Sequence, residues 1–560
     1  MRQTASAERA VNRGRVRKLA VGVVALGLGL GAFGFSSSLT ATPRDDALVS
    51  ASKTSPSSLG AKLAAENAAY QQAAALPSPR IPGAPRLPGR VVPAPKISAN
   101  MSNLTVTPDQ GIAGSPMTIS GRGLKANTKV ELTWSTAEDT WAAMVAPDTA
   151  NFLGRLSNDD ITVALKSVTT NSSGAFSVSM KAPNDWGGIH DIYAVVGGTA
   201  VAHGGFLIAR WVKISPRSGP IGTPIHITYG GLGDLFYEGG FSLLWDNHYV
   251  GEGMSTWTRG TASFMIRAAG PVGRHTIQIG NAISYLYLNV PQSPIPYTIG
   301  KTVTFTTTAN DGPPPASIDW PAKVTPSVSE RTTLGDNGLG VKTSAKMRLS
   351  SSSGAVLSTV AVNVSKLPSN ATAKLYFSTV VGNRVDCKSV CWSFVSIPLG
   401  TAQVNHGAFR TTITVPDGLG GWHAIQVIQK GKLTAEMPFY VHISLVGYTH
   451  VVKEGQKFTV HLKGVGWTQF DNAVAVDYDN SYLGYGCGFN SNGDVVLDLY
   501  ATGGPGTHII DIYPLLYTIS PSFADTAYGM VPVLTYAKDE PSLALGYEPA
   551  AIRIAIKVIR

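Results

Sequence analysis

The sequence predicts an all-β chain of tandem β-sandwich domains, preceded by an apolar helix and a proline-rich linker. Three observations favour this fold. The 560 residues include 60 Gly and 35 Pro but only 14% charged residues, which suits short strands and turns better than long solvated helices. Short segments such as Met117-Thr118-Ile119 and Ile225–Tyr229 alternate apolar and polar residues, so each buries one face. Turn residues recur at a fixed offset of 233 positions, which indicates a duplicated structural unit.

Residues 1–41 combine a basic head with an uncharged apolar run, Leu19–Phe35. As a helix rising about 1.5 Å per residue, this run spans roughly 25 Å, slightly less than the hydrocarbon core of a membrane. The preceding basic residues place the N-terminus in the cytoplasm and the rest of the chain outside. Because Leu39-Thr40-Ala41 is a weak cleavage site, the segment is either a retained signal anchor or a cleaved signal peptide. The protein is therefore expected in the cell envelope, single-pass anchored, or secreted after cleavage.

Residues 42–98 form an Ala/Ser/Pro-rich linker. The Ala-rich stretch Gly60–Leu76 predicts a short helix by propensity alone. Seven prolines between Pro77 and Pro95 favour an extended spacer that could hold globular domains away from a membrane. Its arginines could contact anionic lipid or a cell-wall polymer, although a solvated linker is the simpler interpretation.

The net charge of +10 is concentrated in two arms. Residues 2–18 carry a net +5 and residues 77–98 a net +4, so that the remaining chain is nearly neutral. A nucleic-acid-binding surface on the folded part is therefore not expected.

Four similar units follow the linker. Units one and three share turn positions, as do units two and four, so a two-domain module has been copied whole. The predicted boundaries are 99–210 for unit one, 211–290 for unit two, 291–345 for an inter-module linker, 346–443 for unit three, 444–520 for unit four and 521–560 for a C-terminal extension with a terminal strand. The linker contains Gly312-Pro313-Pro314-Pro315, which cannot occupy a central strand, and Val303–Thr308 is expected to add an edge strand at most.

The opening Ile214–Thr223, with its Ser-Pro-x-x-Gly-Pro-x-Gly pattern, precedes Trp245-Asp246-Asn247 and Gly273-Arg274-His275-Thr276-Ile277. Together these segments resemble the immunoglobulin (Ig)-like IPT/TIG domains of bacterial and archaeal surface proteins. The resemblance is good over 211–290, fair over 103–210 and 444–515, and weak over 345–443. It implies Ig-like β-sandwiches that serve as extracellular spacers or adhesive modules and share no catalytic residues.

Histidines occupy equivalent positions in all four units: His190, His275, His423 and His508. Each follows a Gly-containing turn and begins a strand, so its ring is predicted to lean toward the core and hydrogen-bond that turn. Asp246 and Asp479 begin Asp-Asn hairpin turns and are predicted to be structural repeat residues. A calcium loop at Asp477, Asp479, Ser481 and Gly484 is a weaker interpretation, because the duplicate keeps only one of the two acids.

The longer loop of unit one, around Trp141 to Asn158, is the predicted binding edge. Loops at sandwich ends often carry recognition, and an aromatic face can stack on a sugar ring. Trp141, Asn158 and Asp159 are therefore candidate ligand-binding residues. Cys387 and Cys391 could form a disulfide in an oxidising compartment or remain two thiols, and both alternatives stay open.

The sequence contains no Gly-x-Ser-x-Gly elbow, no His-Glu-x-x-His pair and no Walker-type phosphate loop. No catalytic, cofactor-binding or metal-binding residue is therefore predicted. The predicted function is a non-enzymatic cell-surface scaffold or adhesion protein. The alternatives are a glycan-binding module of the cell envelope and an envelope hydrolase whose site is assembled from distant residues. Expected partners are the membrane, through the N-terminal helix, and a cell-wall polymer, a glycan or another surface protein, with self-association open.

Overall fold

A computed structural model describes residues 87–560, all within one compact unit of the chain, Leu63–Arg560. The description omits 147–148, 236–237, 256–257, 281, 284, 287–291, 293–299, 313–316, 320–342, 383–391, 469, 516–529, 536–546 and 548–549. The predicted helices at Leu19–Phe35 and Gly60–Leu76 lie outside the described residues. Within the described part, no helix combines the length and apolar character needed to cross a membrane.

The described residues are organised as four β-sandwiches, numbered one to four in chain order. Sandwich one contains β1 (Arg90–Val92), β2 (Lys96–Thr107), β3 (Gln110–Gly111), β4 (Pro116–Gly121), β5 (Lys129–Ala146), β6 (Thr149–Thr169), β7 (Phe176–Lys181), β8 (Gly188–Val196) and β9 (Thr199–Ile208). Sandwich two contains β10 (Trp211–Ser215), β11 (Ser218–Gly219), β12 (Pro224–Gly230), β13 (Gly240–Trp245), β14 (His248–Met254), β15 (Thr261–Arg267), β16 (Gly273–Gly280) and, after the small hairpin β17 (Ala282–Ile283) and β18 (Tyr285–Leu286), β19 (Lys301–Thr307).

The second module repeats this series of strands. Between the modules lies β20 (Ser317–Asp319). Sandwich three contains β21 (Lys346–Leu349), β22 (Ser353–Ala355), β23 (Thr359–Ser365), β24 (Ala373–Gly382), β25 (Trp392–Ala402), β26 (Phe409–Thr414), β27 (Gly421–Gln429) and β28 (Lys432–His442). Sandwich four contains β29 (Ser444–Tyr448), β30 (Val451–Lys453), β31 (Lys457–Lys463), β32 (Ala473–Tyr478), β33 (Ser481–Cys487), β34 (Val495–Tyr500), β35 (Gly506–Pro514) and β36 (Ala551–Ile559).

Sandwiches two, three and four each pair a three-stranded sheet with a larger one. In sandwich two the sheets run β10-β12-β15 and β11-β19-β16-β13-β14, and in sandwich four they run β29-β31-β34 and β20-β36-β35-β32-β33. The chain begins in the small sheet, then crosses to pair in parallel with the last strand of the large sheet, as β11 does with β19. Antiparallel sheets packed face to face with this crossover form an Ig-like sandwich, so the predicted all-β class is confirmed.

Alternating side chains fill each sandwich. On β12, Ile225, Ile227 and Tyr229 are at most 1% exposed, whereas His226 points to solvent. Burying an aliphatic side chain of this size contributes roughly 1.5–3 kcal/mol, so each strand is held by its apolar face. The alternation of apolar and polar residues in the sequence therefore determines which face of each strand packs against the core.

Two of the expected domain boundaries separate a strand from its sheet. Residues 291–345 were expected to be a linker, but Lys301–Thr307 pairs along the whole of β16, and Phe305 is fully buried opposite His275. Ala551–Ile559 likewise lies between β35 and β20 rather than in an appended extension. The pairing partners of these strands are distant in sequence, so the sandwiches span 87–210, 211–312, 345–443 and 444–560, and β20 (Ser317–Asp319) adds an edge strand to sandwich four.

Consecutive sandwiches in each module share the same close joint. The amide of Gly187 donates to the carbonyl of Leu232, and the equivalent Gly420 donates to Val465. A Cβ on Gly187 would lie 1.7 Å from the Gly231 carbonyl oxygen, so only glycine permits this approach.

The joint between sandwiches one and two also buries an ion pair. The Asp185 carboxylate accepts from Trp134 Nε1 at 2.8 Å and pairs with the Arg259 guanidinium of the next sandwich. Sandwiches three and four instead pack an apolar cluster at their joint, formed by Val380, Leu419, Trp467 and Phe489.

Candidate functional site

The two modules meet through sandwiches two and four. The outer face of the large sheet of sandwich four presents Ala475, Ile509 and Tyr513, which join the buried apolar cluster of sandwich two. The opposite face of that sheet, with Ile510 and Ile512, packs on the small sheet of sandwich four. Strand β35 is therefore buried on both faces, and its sheet is a shared wall between the modules.

Four ionisable side chains are buried in this wall. Asp477, Asp511 and Arg553 stand opposite one another on β32, β35 and β36. From sandwich two, Arg267 Nε donates to Asp511 Oδ1 at 2.8 Å, and its guanidinium also donates to the carbonyls of Ile510 and Ile554. Arg267 and Asp511 are 5% and 1% exposed, so solvent does not weaken this pair.

Asp477 differs from its neighbours because neither of its carboxyl oxygens has a hydrogen-bond partner among the described residues. Burial, together with the nearby Asp511 carboxylate, raises the pKa of Asp477 well above its usual value, and Arg553 opposes this shift. The neutral acid is the form that this site favours. Asp477 therefore does not supply a free carboxylate for the weakly expected calcium loop.

A segment of sandwich four, Met530–Thr535, covers the outer edge of β14 in sandwich two. The amide of Glu252 donates to the Pro532 carbonyl at 3.0 Å, and the amide of Leu534 donates back to the Glu252 carbonyl at 2.8 Å. A Cβ on Gly251 would lie 2.7 Å from the Pro532 carbonyl oxygen, so glycine lets the segment approach the strand. The edge of sandwich two is thus closed by an extended segment from the other module.

The equivalent edge strand of sandwich four, β33, pairs with β32 and with no second strand among the described residues. Val250 on β14 is fully buried, but Leu483 at the same position on β33 is 56% exposed. A Cβ on Gly484 would meet nothing within 4 Å, in contrast with the crowded Gly251. Along this edge lies a cleft of about 1030 Å³, walled by β33 and β34 on one side and by the Trp245–His248 turn and Pro271 of sandwich two on the other.

The cleft is acidic at its rim and apolar at its floor. Four aspartates line it: Asp246, Asp479, Asp494 and Asp498. Their partners are His275, His508, His461 and Lys457, respectively, at 2.5–2.9 Å. The aromatic rings of Tyr485 and Tyr500, 46% and 60% exposed, also face this space. Aromatic faces and carboxylates together provide binding chemistry for a ligand that has both apolar faces and hydrogen-bond donors.

The four repeated histidines hydrogen-bond the turns that precede them. Each ring Nε2 contacts the carbonyl four residues earlier, at 2.8–2.9 Å: Trp186, Pro271, Leu419 and Gly504. In sandwiches one and three the other ring nitrogen contacts a backbone carbonyl, Ser135 or Ser378. In sandwiches two and four it contacts the hairpin aspartate, Asp246 or Asp479, at 2.5 Å.

These two environments favour different protonation states. Burial lowers the pKa of His423 to about 4, against the smaller effect of its backbone hydrogen bonds, so the ring is neutral at pH 7. Burial also acts to lower the pKa of His508, but the hydrogen bond and charge of Asp479, with smaller effects from Gly504 and Glu454, raise it above its usual value. Both histidines tie strands to turns, and in His508 the Asp479 carboxylate favours the charged ring.

The structure places the candidate ligand-binding residues on a hairpin away from the cleft lining. The predicted loop of unit one is a long β5–β6 hairpin, in which Trp141 pairs through its backbone with Arg155. Asn158 Nδ2 donates to the Asp234 carbonyl of sandwich two at 3.2 Å, and Asp159 is exposed. Asn158 and Asp159 are not among the residues that line the cleft. Cys387 and Cys391 lie outside the described residues.

The sequence singled out Asp246, Asp479, Ser481 and Gly484 of the cleft lining, but only as hairpin-turn or calcium-loop residues, and it did not single out the strand residues of the cleft. Leu483 and Tyr485 are ordinary strand residues in an alternating segment, and their exposure depends on what covers the strand. One signal was present: Glu252 corresponds to Tyr485 at the 233 offset, within an otherwise matching Gly-x-Gly strand.

No protein-family profile matches the chain, and no curated protein sequence is similar to it. Many solved structures show weak similarity, among them the following three. The chain is similar to an Escherichia coli alpha-2-macroglobulin at 9% identity and a TM-score of 0.15, over 80% of this chain and 30% of that one. It is similar to the E. coli adhesin FdeC at 11% identity and a TM-score of 0.13, over 62% of this chain and 98% of that one. An ICAM-5 ectodomain fragment has 10% identity and a TM-score of 0.14, over 74% and 95%. At such scores the similarities carry no argument about function, and the IPT/TIG resemblance remains an expectation.

Proposed function

We propose that this protein is a non-enzymatic cell-surface scaffold or adhesion protein that presents tandem Ig-like sandwiches outside the membrane. The observation that supports this role is the buried ion-pair wall between sandwiches two and four, because it fixes the two modules against each other. A scaffold must keep its binding surfaces at a set distance, and a joint with buried, partnered charges opposes bending more than a solvated linker does. The N-terminal helix anchors this body, and the proline-rich linker projects it.

Protease treatment of intact cells tests the location. Sandwich domains outside the membrane are expected to be degraded while a cytosolic marker survives, and the chain is expected in the membrane fraction or the medium. Recovery of an intact chain with the cytosolic marker would end the proposal. A variant that carries two lysines within Leu19–Phe35 is the control, since it should release the chain from the membrane fraction.

A second candidate function is that of a glycan-binding module of the cell envelope. The exposed rings of Tyr485 and Tyr500, which lie beside aspartates in the cleft, favour it. Phenol rings can stack on sugar faces while carboxylates accept hydrogen bonds from hydroxyls. Glycan-array binding that persists at high salt and disappears in Tyr500→Ala would support this candidate. Absence of signal in the unaltered chain would remove it.

A further inference from the structure

Two arginines cross the joint between sandwiches two and four in opposite directions. Arg267 of β15 donates to the carbonyls of Ile510 and Ile554 in sandwich four. Arg553 of β36 donates to the carbonyl of Met265 in sandwich two at 3.2 Å. Each guanidinium therefore holds the backbone of the other module, and moving either one away from its acceptors weakens the joint.

Asp477 shares this sheet face, opposite Asp511 on the neighbouring strand, but uses neither arginine. Both of its carboxyl oxygens lack a hydrogen-bond partner in the described part of the chain, and the residue is 1% exposed. Nη1 of Arg553 donates instead to the Tyr513 hydroxyl at 3.3 Å and lies 3.4 Å from the Asp511 carboxylate. A buried carboxyl without a donor is far less costly as the neutral acid than as the carboxylate.

The groups that surround Asp477 also favour its neutral form. Burial, and then the negative charge of Asp511, raise the pKa of Asp477 well above its usual value, whereas Arg553 acts in the opposite direction. The backbone of Asp477 pairs with Tyr482 of β33 on its other side. Other ionisable side chains at this joint are Arg267, Tyr249 and Glu252 from sandwich two, and Tyr448 and Tyr513 from sandwich four.

Separating the modules would change the surroundings of Asp477. Sandwich two covers its face of the sheet, so opening the joint would admit water and return the pKa of Asp477 toward its usual value. Closing the joint therefore takes up a proton when the pH lies between the usual and the raised pKa. The closed joint keeps its full stability below about pH 4, and its closed-to-open ratio falls by up to about tenfold for each pH unit above that, until the raised pKa is reached.

We propose that this joint is a pH-dependent latch between the two modules, closed while Asp477 carries a proton and loosened when the proton is lost. An ionised Asp477 can be satisfied only by water or by drawing the guanidinium of Arg553 away from the Met265 carbonyl, and either change breaks the contact across the joint. The scaffold is then rigid in an acidic medium and articulated in a more alkaline one. This regulation rests on the scaffold function for its use, but the latch is a property of the purified chain.

Hydrogen exchange of the purified full chain in detergent tests the latch. The amides of Glu252 and Leu534 bond across the joint, so their exchange reports its opening. Comparing Asp477→Asn with the unaltered chain at each pH cancels the intrinsic pH dependence of exchange. Between pH 5 and pH 8, the protection of these two amides in D477N relative to the unaltered chain is expected to rise about tenfold or more.

Asp498→Asn is the matched control for this experiment. The Asp498 side chain is 54% exposed and pairs with Lys457, so D498N carries the same substitution outside the buried wall and should follow the unaltered chain at every pH. If D477N does not fold, the same test is made within the unaltered chain. Exchange at Glu252 and Leu534 is then expected to outpace exchange in β31, in the small sheet of sandwich four, increasingly as the pH rises.

Three results would overturn the latch. The first is a ratio of protection between D477N and the unaltered chain that is equal at pH 5 and pH 8. The second is a parallel change in the amides of β31, which would assign the effect to the folding of sandwich four. The third comes from the infrared difference spectrum between the unaltered chain and D477N at pH 5, in which a protonated-carboxyl band is expected and its absence would contradict a neutral Asp477. None of these results depends on where the protein lies in the cell.

Discussion

Replacing Arg267 by alanine is expected to loosen the joint between the modules. The guanidinium makes three buried interactions with sandwich four, one to Asp511 and two to the backbone carbonyls of Ile510 and Ile554. Removing one partner of a buried pair typically costs about 3–5 kcal/mol, because the other charge stays buried. Arg553 remains 3.4 Å from Asp511 and compensates in part, so the lower end, about 3 kcal/mol, applies here.

Hydrogen exchange measures this loss at the joint itself. The amides of Glu252 and Leu534 close the contact between the modules, and a loss of about 3 kcal/mol should accelerate their exchange roughly 100-fold. Lys457→Ala is the control, because the Lys457–Asp498 pair is exposed and its loss should leave these amides unchanged. If Arg267→Ala exchanges no faster than Lys457→Ala at these amides, the buried pair does not hold the modules together.

Three further predictions concern stability. Asp477→Asn should stabilise sandwich four increasingly above about pH 4, because the raised native pKa of Asp477 makes ionisation of the acid favour unfolding. If the urea midpoint of the variant exceeds that of the unaltered chain by the same amount at pH 5 and at pH 8, the prediction is wrong. The pKa of His423 is lowered to about 4, so the neutral ring stabilises sandwich three fully above about pH 6.5, and this stabilisation is progressively lost toward pH 4. The free energy of unfolding of sandwich three should therefore fall by about 2 kcal/mol between pH 7 and pH 5. A His423→Gln variant should lack this pH dependence. Gly251→Ala should cost about 1–3 kcal/mol by displacing Pro532, whereas Gly447→Ala, where a Cβ meets nothing within 4 Å, should be neutral in the same exchange assay.

The sandwich strands could be predicted because their signals are local. An alternating segment such as Ile225–Tyr229 encodes one buried face without reference to the rest of the chain. Lys301–Thr307 was harder to place, since it has only two apolar residues, Val303 and Phe305, among threonines. Its position inside a sheet depends on pairing with β16 across the intervening hairpin, and no local pattern specifies that partner.

The candidate cleft could not be predicted for a different physical reason. Whether Leu483 is exposed depends on what covers its strand, and among the described residues 530–535 lies along β14 while no equivalent segment lies along β33. Local sequence reports only that β14 and β33 are equivalent strands with the same glycines. Likewise, the ion pair between Arg267 and Asp511 joins residues 244 positions apart, and neither has a charged counterpart at the 233 offset, where Tyr500 and Gln278 stand.

That difference explains why two similar modules pack asymmetrically. Asp511 on β35 accepts Arg267 from β15, but the reverse arrangement would place Tyr500 of β34 against Gln278 of β16, which cannot form an ion pair. Sandwich four can therefore serve as the wall for sandwich two, whereas sandwich two cannot serve as the wall for sandwich four. Because the duplicates diverged at these positions, the sequence fixes which sandwich supplies the aspartate and which supplies the arginine of the joint.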